Sequence, residues 1–166
     1  MKSITFLLND VSRTVEVLEG MRAVDVLRDI FGLTGTKEAC GQGECGACTI
    51  LFNDAPVHAC LLLAYQMDGA SIVTIEGLEK NGELDIIQQC FLEAGAIQCG
   101  FCTPGMIMAA KGLLIKNKTP DEEEIKTAMS GNLCRCTGYK KIQEAVMMAS
   151  QRIRQRSENN AADSVD

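Results

Sequence analysis

The stretch Cys40-Gly41-Gln42-Gly43-Glu44-Cys45-Gly46-Ala47-Cys48 concentrates three cysteines and three glycines, and a fourth cysteine, Cys60, follows at a distance. This C-x4-C-x2-C spacing with a distant fourth cysteine is the plant-type arrangement for a [2Fe–2S] cluster. A loop that wraps a cluster must bring backbone N–H groups close to sulfur, and glycine permits that curvature because it lacks a Cβ. A zinc knuckle is the alternative, but structural zinc usually takes paired C-x2–4-C units, which this spacing fits poorly. The spacing therefore predicts a cluster held by Cys40, Cys45, Cys48 and Cys60.

A second group consists of the cysteine pairs in Cys99-Gly100-Phe101-Cys102 and Cys134-Arg135-Cys136. Both pairs lie at the ends of predicted helices, so two helix termini could bring four thiolates together. On spacing alone, a C-x2-C with a later C-x-C binds either zinc or a [2Fe–2S] cluster. Context favours the cluster, because a second redox centre extends the conduction path of the first. The run C-x2-C-x2-C-x3-C-P of bacterial two-cluster ferredoxins does not occur in the sequence.

Composition indicates the class of protein. The 166 residues are 46% hydrophobic and 23% charged, which suffices for a folded core, and the formal charge of −6 makes nucleic acid a poor partner. The first ten residues form no secretory signal, and the longest strictly apolar run, 59–65, is too short to span a membrane. Nine cysteines, an odd number, favour metal binding over a disulfide scaffold. The sequence therefore predicts a cytoplasmic metal protein without a nucleic-acid or membrane partner.

The first half of the chain carries strand signals around one helix. β-Rich segments flank a turn at Asn9-Asp10, a second turn is predicted at Asn53-Asp54, and an amphipathic helix is predicted over 23–31. The predicted strands cover residues 2–8, 12–18, 49–52, 56–57 and 71–75. This order predicts a small mixed sheet wrapped on one helix.

The pattern changes at Glu79-Lys80-Asn81-Gly82, after which every long segment has helical periodicity. Thr103-Pro104 and Thr119-Pro120 each place a capping residue before proline, as at a helix start. The predicted helices cover residues 84–94, 106–116, 122–129 and 142–153. We therefore predict an α+β protein with domains over residues 1–78 and 79–155. Residues 156–166 are predicted to be a disordered tail, because they are polar and offer little to bury.

Three motifs in order resemble the small iron–sulfur subunit of the molybdenum hydroxylases. They are Glu44-Cys45-Gly46-Ala47-Cys48-Thr49, Gln98-Cys99-Gly100-Phe101-Cys102-Thr103-Pro104-Gly105 and Gly131-Asn132-Leu133-Cys134-Arg135-Cys136-Thr137-Gly138-Tyr139. That family includes xanthine dehydrogenase, aldehyde oxidoreductase, nicotinate and carbon monoxide dehydrogenases and 4-hydroxybenzoyl-CoA reductase. The resemblance spans about residues 2–149. It departs mildly from the family at Ala39, where glycine often precedes the first ligand.

The resemblance implies a β-grasp, plant-type ferredoxin-like N-terminal domain and a four-helix C-terminal domain, each with one [2Fe–2S] cluster. It implies that Cys99, Cys102, Cys134 and Cys136 hold the second cluster. That cluster would lie beside the pterin of a molybdenum cofactor (molybdopterin) in a large partner subunit, and the first would face FAD in a medium subunit. Gln98 would hydrogen-bond the pterin, and Cys136 would also contact its amino group. Alternatively, Gln98 is a polar residue satisfied at a helix end.

The function implied is an electron relay from the molybdenum subunit to the flavin subunit during hydroxylation of a purine, another N-heterocycle or an aldehyde. The expected assembly is a dimer of heterotrimers. No catalytic constellation is predicted in this chain, Cys90 is predicted to be a core thiol, and Arg135 and Tyr139 receive no role beyond packing and charge. The alternatives are a free two-cluster ferredoxin-like carrier and a zinc-stabilised interaction module with one redox cluster.

Overall fold

The computed structural model describes residues 1–162, and the side chains of residues 1–159. Its N-terminal half contains a five-stranded sheet with the order β2-β1-β5-β3-β4. The strands are β1 (Lys2–Leu8), β2 (Val11–Val17), β3 (Thr49–Phe52), β4 (Ala55–His58) and β5 (Ser71–Val73). β1 and β5 are parallel, and the other neighbouring strands are antiparallel. This is the mixed sheet that the sequence predicts.

Both hairpin turns have the backbone that their sequence favours. Asn9 and Asp10 have φ values of 51° and 67°, and Asn53 and Asp54 have 49° and 66°. Positive φ at both central residues defines a two-residue type I′ turn, whose twist matches that of the flanking strands. The turns therefore fix the register of the β1–β2 and β3–β4 hairpins.

One short helix covers one face of the sheet. The α-helical turn α1 (Ala23–Asp25) continues directly as a π-helical turn over Val26–Ile30, in which Phe31 donates its N–H to the carbonyl of Val26. Alternate residues of β1, at positions 4, 6 and 8, are at most 4% exposed and pack in the same core as the buried apolar side chains of this helix. Burying an apolar side chain of this size contributes about 1.5–3 kcal/mol, so this core holds the N-terminal half together. The helix predicted over 23–31 is present, but most of it has the wider π geometry.

Four helices form the C-terminal half, as the sequence predicts. They are α2 (Ile86–Glu93), α3 (Thr103–Lys116), α4 (Glu122–Met129) and α5 (Lys140–Ala162). Asp85 caps α2 and Asp121 caps α4, each by accepting a backbone N–H of the first turn. Pro104 lies in the first turn of α3, where its missing N–H costs nothing. Cys90 is fully buried in the helical core, as predicted.

The two halves pack closely along α3 and β3. A Cβ built on Gly112 of α3 would lie 2.7 Å from Cδ of Pro56, so only glycine permits this approach. Leu51 of β3 belongs to the core of the helical half. The sheet and the helices therefore share an apolar interface, which fixes the cysteine loops of the two halves relative to each other.

The predicted disordered tail is partly wrong. Helix α5 continues to Ala162, so residues 156–162 are helical, whereas residues 163–166 lie outside the described part of the chain. Four of these seven residues, one Arg, one Glu and two Ala, have good helix propensity, and a helix that is already formed propagates through the Ser and two Asn residues at little cost. Within residues 1–162, no helix is both long enough and apolar enough to cross a membrane.

Candidate metal centres

The N-terminal cysteine loop curls around the thiol of Cys40. The backbone N–H groups of Gln42 and Glu44 point at Cys40 Sγ, at 3.5 and 3.4 Å. Gly41 and Gly43 have φ values of +66° and +80°, a conformation that residues with a Cβ adopt at a cost. The loop therefore presents N–H donors to sulfur, as a cluster loop requires.

The other thiols of this group lie deeper in the protein. Cys48 and Cys60 are buried at the edge of the sheet core, and the Cys60 thiol is close enough to affect the pKa of Cys48, as the Cys45 thiol is to affect that of Cys40. The N–H of Gln42, followed by the Cys45 thiol, lowers the pKa of Cys40 to about 6. Burial raises the pKa of Cys48 to about 12. The loop thus contains one thiol that ionises readily and one that needs a cationic partner such as iron to do so.

The second group forms where two loops of the helical half meet. Cys99 and Cys102 precede α3, whereas Cys134 and Cys136 lie between α4 and α5. Cys136 Sγ lies 3.6 Å from Cys99 Sγ, and the thiols of Cys102 and Cys134 are close enough to affect each other's pKa. Helix ends thus bring two distant pairs of thiols together, as the sequence predicts.

Hydrogen bonds distinguish the thiols of this second group. Cys134 Sγ contacts Oγ1 of Thr137 at 3.1 Å and accepts the Thr137 N–H at 3.5 Å. Burial opposes ionisation of Cys134, but these bonds outweigh it and lower its pKa to about 7. Burial raises the pKa of Cys102 to about 12, and the adjacent Cys99 thiol raises the pKa of Cys136.

The donor sets fit two-iron clusters. In each group the four thiols lie as two neighbouring pairs. A [2Fe–2S] cluster takes two thiolates on each iron, whereas structural zinc needs its ligands around one centre. Two neighbouring pairs of thiols therefore suit the two irons of a cluster at each site.

The two cysteine loops are in direct contact. Leu133 donates its N–H to the carbonyl of Cys45 at 2.9 Å. The side chain of Asn132, only 4% exposed, donates to the carbonyl of Gly46 at 2.8 Å and to Oγ1 of Thr49 at 3.1 Å. One hydrogen bond therefore connects the Cys45 backbone to the residue next to Cys134.

Small residues allow this contact. A Cβ on Gly46, which has a φ of +68°, would lie 2.4 Å from the carbonyl oxygen of Gly131. A Cβ on Gly105 of α3 would lie 2.3 Å from the carbonyl oxygen of Gly46. Such distances are far below normal contact, so both positions require glycine.

Tyr139 supports the second cysteine loop, a role that the sequence analysis missed. Its hydroxyl accepts the N–H of Cys134 at 2.9 Å and lies 3.3 Å from the carbonyl oxygen of Asn132, to which it donates. Its own φ is +68°, which is uncommon for a bulky residue. The available signal was a tyrosine beside a cysteine pair in a chain with only two tyrosines.

The second site opens to the surface. Gln98, Cys99 and Cys136 are exposed, and the exposed apolar side chains of Phe101 and Leu133 lie in the same segments. Among the described residues, Gln98 has no hydrogen-bond partner, and its exposed amide is open to water. The structure thus leaves this amide and two thiols available to a partner.

The fold and the two four-thiol sites define the class: an iron–sulfur protein with two domains, each suited to a [2Fe–2S] cluster. Two families match, described as "2Fe-2S iron-sulfur cluster binding domain" over residues 6–71 and "[2Fe-2S] binding domain" over residues 74–147. The chain is 55% identical over 150 residues to the nicotinate dehydrogenase small FeS subunit of Eubacterium barkeri, covering 90% of this chain and 96% of that protein. It is 42% identical over 142 residues to the xanthine dehydrogenase iron-sulfur-binding subunit of Escherichia coli O157:H7, covering 84% and 89%.

A solved structure agrees with these relatives. The crystal structure of quinoline 2-oxidoreductase from Pseudomonas putida 86 superimposes with a TM-score of 0.88 at 44% identity, covering 93% of this chain and 96% of that chain. The chain belongs to the small [2Fe–2S] subunits of the molybdenum hydroxylases. The predicted fold class and the predicted electron-transfer role in a multi-subunit molybdenum enzyme are confirmed.

Proposed function

We propose that Cys40, Cys45, Cys48 and Cys60 hold one cluster and that Cys99, Cys102, Cys134 and Cys136 hold the other. Support comes from the paired thiols in each group and from the N–H groups directed at Cys40 and Cys134. We also propose a domain boundary between residues 78 and 79. Each bound cluster would accept and release one electron at a time.

The proposed function is an electron relay between a molybdenum-pterin subunit and an FAD subunit. The observation that carries it is the hydrogen bond from Leu133 N–H to the Cys45 carbonyl. This bond connects the two cysteine loops directly, so that backbone bonds and one hydrogen bond link Cys45 to Cys134. The role of this chain is to hold the two cluster sites at a fixed separation and to provide their surroundings.

The second site is proposed to meet the pterin. Exposed Cys136 and Cys99 would lie at the contact, and the unpartnered amide of Gln98 would hydrogen-bond the pterin. Exposed apolar side chains at Phe101 and Leu133 suit burial against a protein partner. The catalytic site itself would then lie entirely on that partner.

The first site is proposed to face the flavin. Leu61, 60% exposed, lies over the cysteine loop, since its Cδ1 is 2.4 Å from where a Gly43 Cβ would stand. A partner that covers Leu61 would exclude water from this loop. We further propose a dimer of heterotrimers, located in the cytoplasm, where reducing conditions keep the eight proposed ligand cysteines free to bind metal.

The substrate is proposed to be a purine, another N-heterocycle or an aldehyde, hydroxylated on the molybdenum subunit. The names of two similar proteins, which specify nicotinate and xanthine, favour a nitrogen heteroaromatic compound. Nothing in this chain contacts the substrate in the proposed arrangement, so the choice depends on the partner.

Metal and flavin analysis of the purified complex tests the proposal. We expect about four irons with one molybdenum and one FAD, because each of two clusters contributes two irons. The reduced complex should give two distinct EPR signals. Four irons without molybdenum or large partner subunits would instead support a free two-cluster carrier, and zinc at either site would contradict the ligand assignment.

A further inference from the structure

Arg22 lies between the two segments that carry the first and last cysteines of the N-terminal site. Its own backbone belongs to a segment paired with residues 59–64: Ala23 donates to Leu62, and Arg22 forms a bridge with Leu63. Cys60 lies inside that paired segment. The position of the Arg22 backbone is therefore fixed relative to Cys60.

The guanidinium of Arg22 reaches the other segment. It binds Asp25 in bidentate fashion, with Nε 3.0 Å from one carboxylate oxygen and a terminal nitrogen 2.6 Å from the other. It also binds both oxygens of Glu38, at 2.5 and 3.3 Å. Glu38 is two residues before Cys40. One guanidinium thus joins the segment of Cys60 to that of Cys40.

The Arg22–Glu38 pair also lies against the turn after Cys40. A Cβ on Gly41 would stand 3.2 Å from Oε1 of Glu38 and 3.7 Å from a terminal nitrogen of Arg22. The side chains of Arg22 and Glu38 are 33% and 30% exposed, so water screens their charges only in part. Together with Asp25 the group carries one net negative charge beside the loop.

We propose that Arg22 is a positioning residue for the N-terminal cluster, whose fork to Glu38 holds the Cys40 turn at a fixed distance from Cys60. This inference rests on the proposed ligand set. The role requires the planar fork, because only arginine can bind two carboxylates in this way; lysine keeps the charge and loses the geometry. Glu38 has a second effect, since its negative charge opposes addition of an electron nearby.

Two variants of the intact complex separate geometry from charge. Arg22→Lys should speed the decay of the N-terminal EPR signal at fixed temperature about fivefold, equivalent to about 1 kcal/mol for a well-formed ion pair. Its midpoint potential should stay unchanged. Glu38→Gln should shift the midpoint potential of the N-terminal cluster to a more positive value, most clearly at low ionic strength. The C-terminal EPR signal is the internal reference in every sample.

Arg152 and Glu93 provide the matched control. They form the same bidentate pair on the helical half, with one contact at 2.8 Å and side chains 38% and 47% exposed. Arg152→Lys and Glu93→Gln should change neither the stability nor the potential of the N-terminal cluster. If Arg22→Lys prevents folding, the decay rate in Glu38→Gln still decides the question, because this variant removes the carboxylate half of the same fork.

Two results would overturn the inference. One is an N-terminal signal in Arg22→Lys and Glu38→Gln that matches the wild type in both decay rate and potential. The other is an equal change in both signals, which would indicate a general loss of stability. Because the wild-type complex must first display two signals, failure of the proposed function would be seen separately, before any variant is compared.

Discussion

The backbone N–H of Leu133 donates to the carbonyl of Cys45 at 2.9 Å, joining residues from opposite halves of the chain. Asn132 reinforces this contact from a buried position, with two further bonds to the Gly46–Thr49 segment. The separation of the two cysteine groups is thus set by the same backbone that carries Cys45 and Cys134. A relay needs this rigidity, because its centres must keep a constant separation.

Cys134→Ser should remove one of the two EPR signals of the reduced complex and leave the other intact. Serine is a poor substitute because its oxygen is a harder ligand than the thiolate that an iron–sulfur cluster prefers. EPR of dithionite-reduced samples, with iron analysis, is the measurement. Cys90→Ala is the control, since Cys90 is buried in the helical core and is assigned no metal. Loss of both signals or of neither in Cys134→Ser would refute the two-site assignment.

Asn132→Ala should destabilise the protein by about 2 kcal/mol, because it removes two buried hydrogen bonds, to the Gly46 carbonyl and to Oγ1 of Thr49, of about 1 kcal/mol each. For a chain of this size that corresponds to roughly 4–8 °C in Tm, measured by calorimetry. Electron transfer between the clusters should also slow, as followed by rapid-freeze EPR. Asn117→Ala is the control, since Asn117 bonds the exposed Glu124 and lies outside the cysteine loops. Equal Tm values for the two variants would mean that the Asn132 side chain stabilises the protein no more than the Asn117 side chain does.

Tyr139→Phe should disturb the C-terminal cluster alone. Removing the hydroxyl leaves the Cys134 N–H without its acceptor and frees the loop, at a cost of about 1 kcal/mol. The EPR line shape of that cluster should change while the other signal stays constant. Tyr65→Phe, which alters the second tyrosine of the chain at a 45% exposed position, should change neither. An unchanged line shape in Tyr139→Phe would limit Tyr139 to packing.

Local features could be predicted from the sequence, and contacts between distant segments could not. The spacing of Cys40, Cys45 and Cys48 predicts a cluster loop because the ligands lie on one turn of chain. The turn at Asn53-Asp54 was predictable for the same reason, since its positive φ values depend on two residues. The bond between Asn132 and Gly46 depends on how α3 packs on β3, and no local pattern reports that packing.

The role of Arg22 was missed for a related reason. In sequence it is one polar residue before an amphipathic segment, and its partner Glu38 is 16 positions away. The helical continuation of α5 over 156–162 was missed because these residues are mostly polar, although a helix that is already formed propagates through residues of good and moderate propensity. The predictions therefore failed for two kinds of feature: contacts between distant segments, and a helix that continues because of helix propensity without burial.

Gly46→Ala should destabilise the protein more than its backbone conformation alone explains. A φ of +68° costs alanine about 1–2 kcal/mol, and the clash of its Cβ with the Gly131 carbonyl adds about 1–3 kcal/mol. Gly69→Ala is the matched control, because Gly69 has a φ of +75° and open space around its Cβ position. The difference in Tm between the two variants therefore measures the contact between the cysteine loops. Equal Tm values would show that the loops can separate without cost.

Gln98→Ala should leave the iron content and both EPR signals intact and slow reduction of the clusters by substrate. The reason is the exposed, unpartnered amide, which in the proposed arrangement bonds the pterin. Loss of one neutral hydrogen bond of about 1 kcal/mol predicts a rate reduction of about fivefold, measured by stopped-flow absorbance. Gln151→Ala, at an exposed position on α5, should leave the rate of cluster reduction unchanged. A wild-type rate in Gln98→Ala would mean that this amide does not touch the molybdenum cofactor, whereas loss of iron would show that it supports the cysteine loop itself.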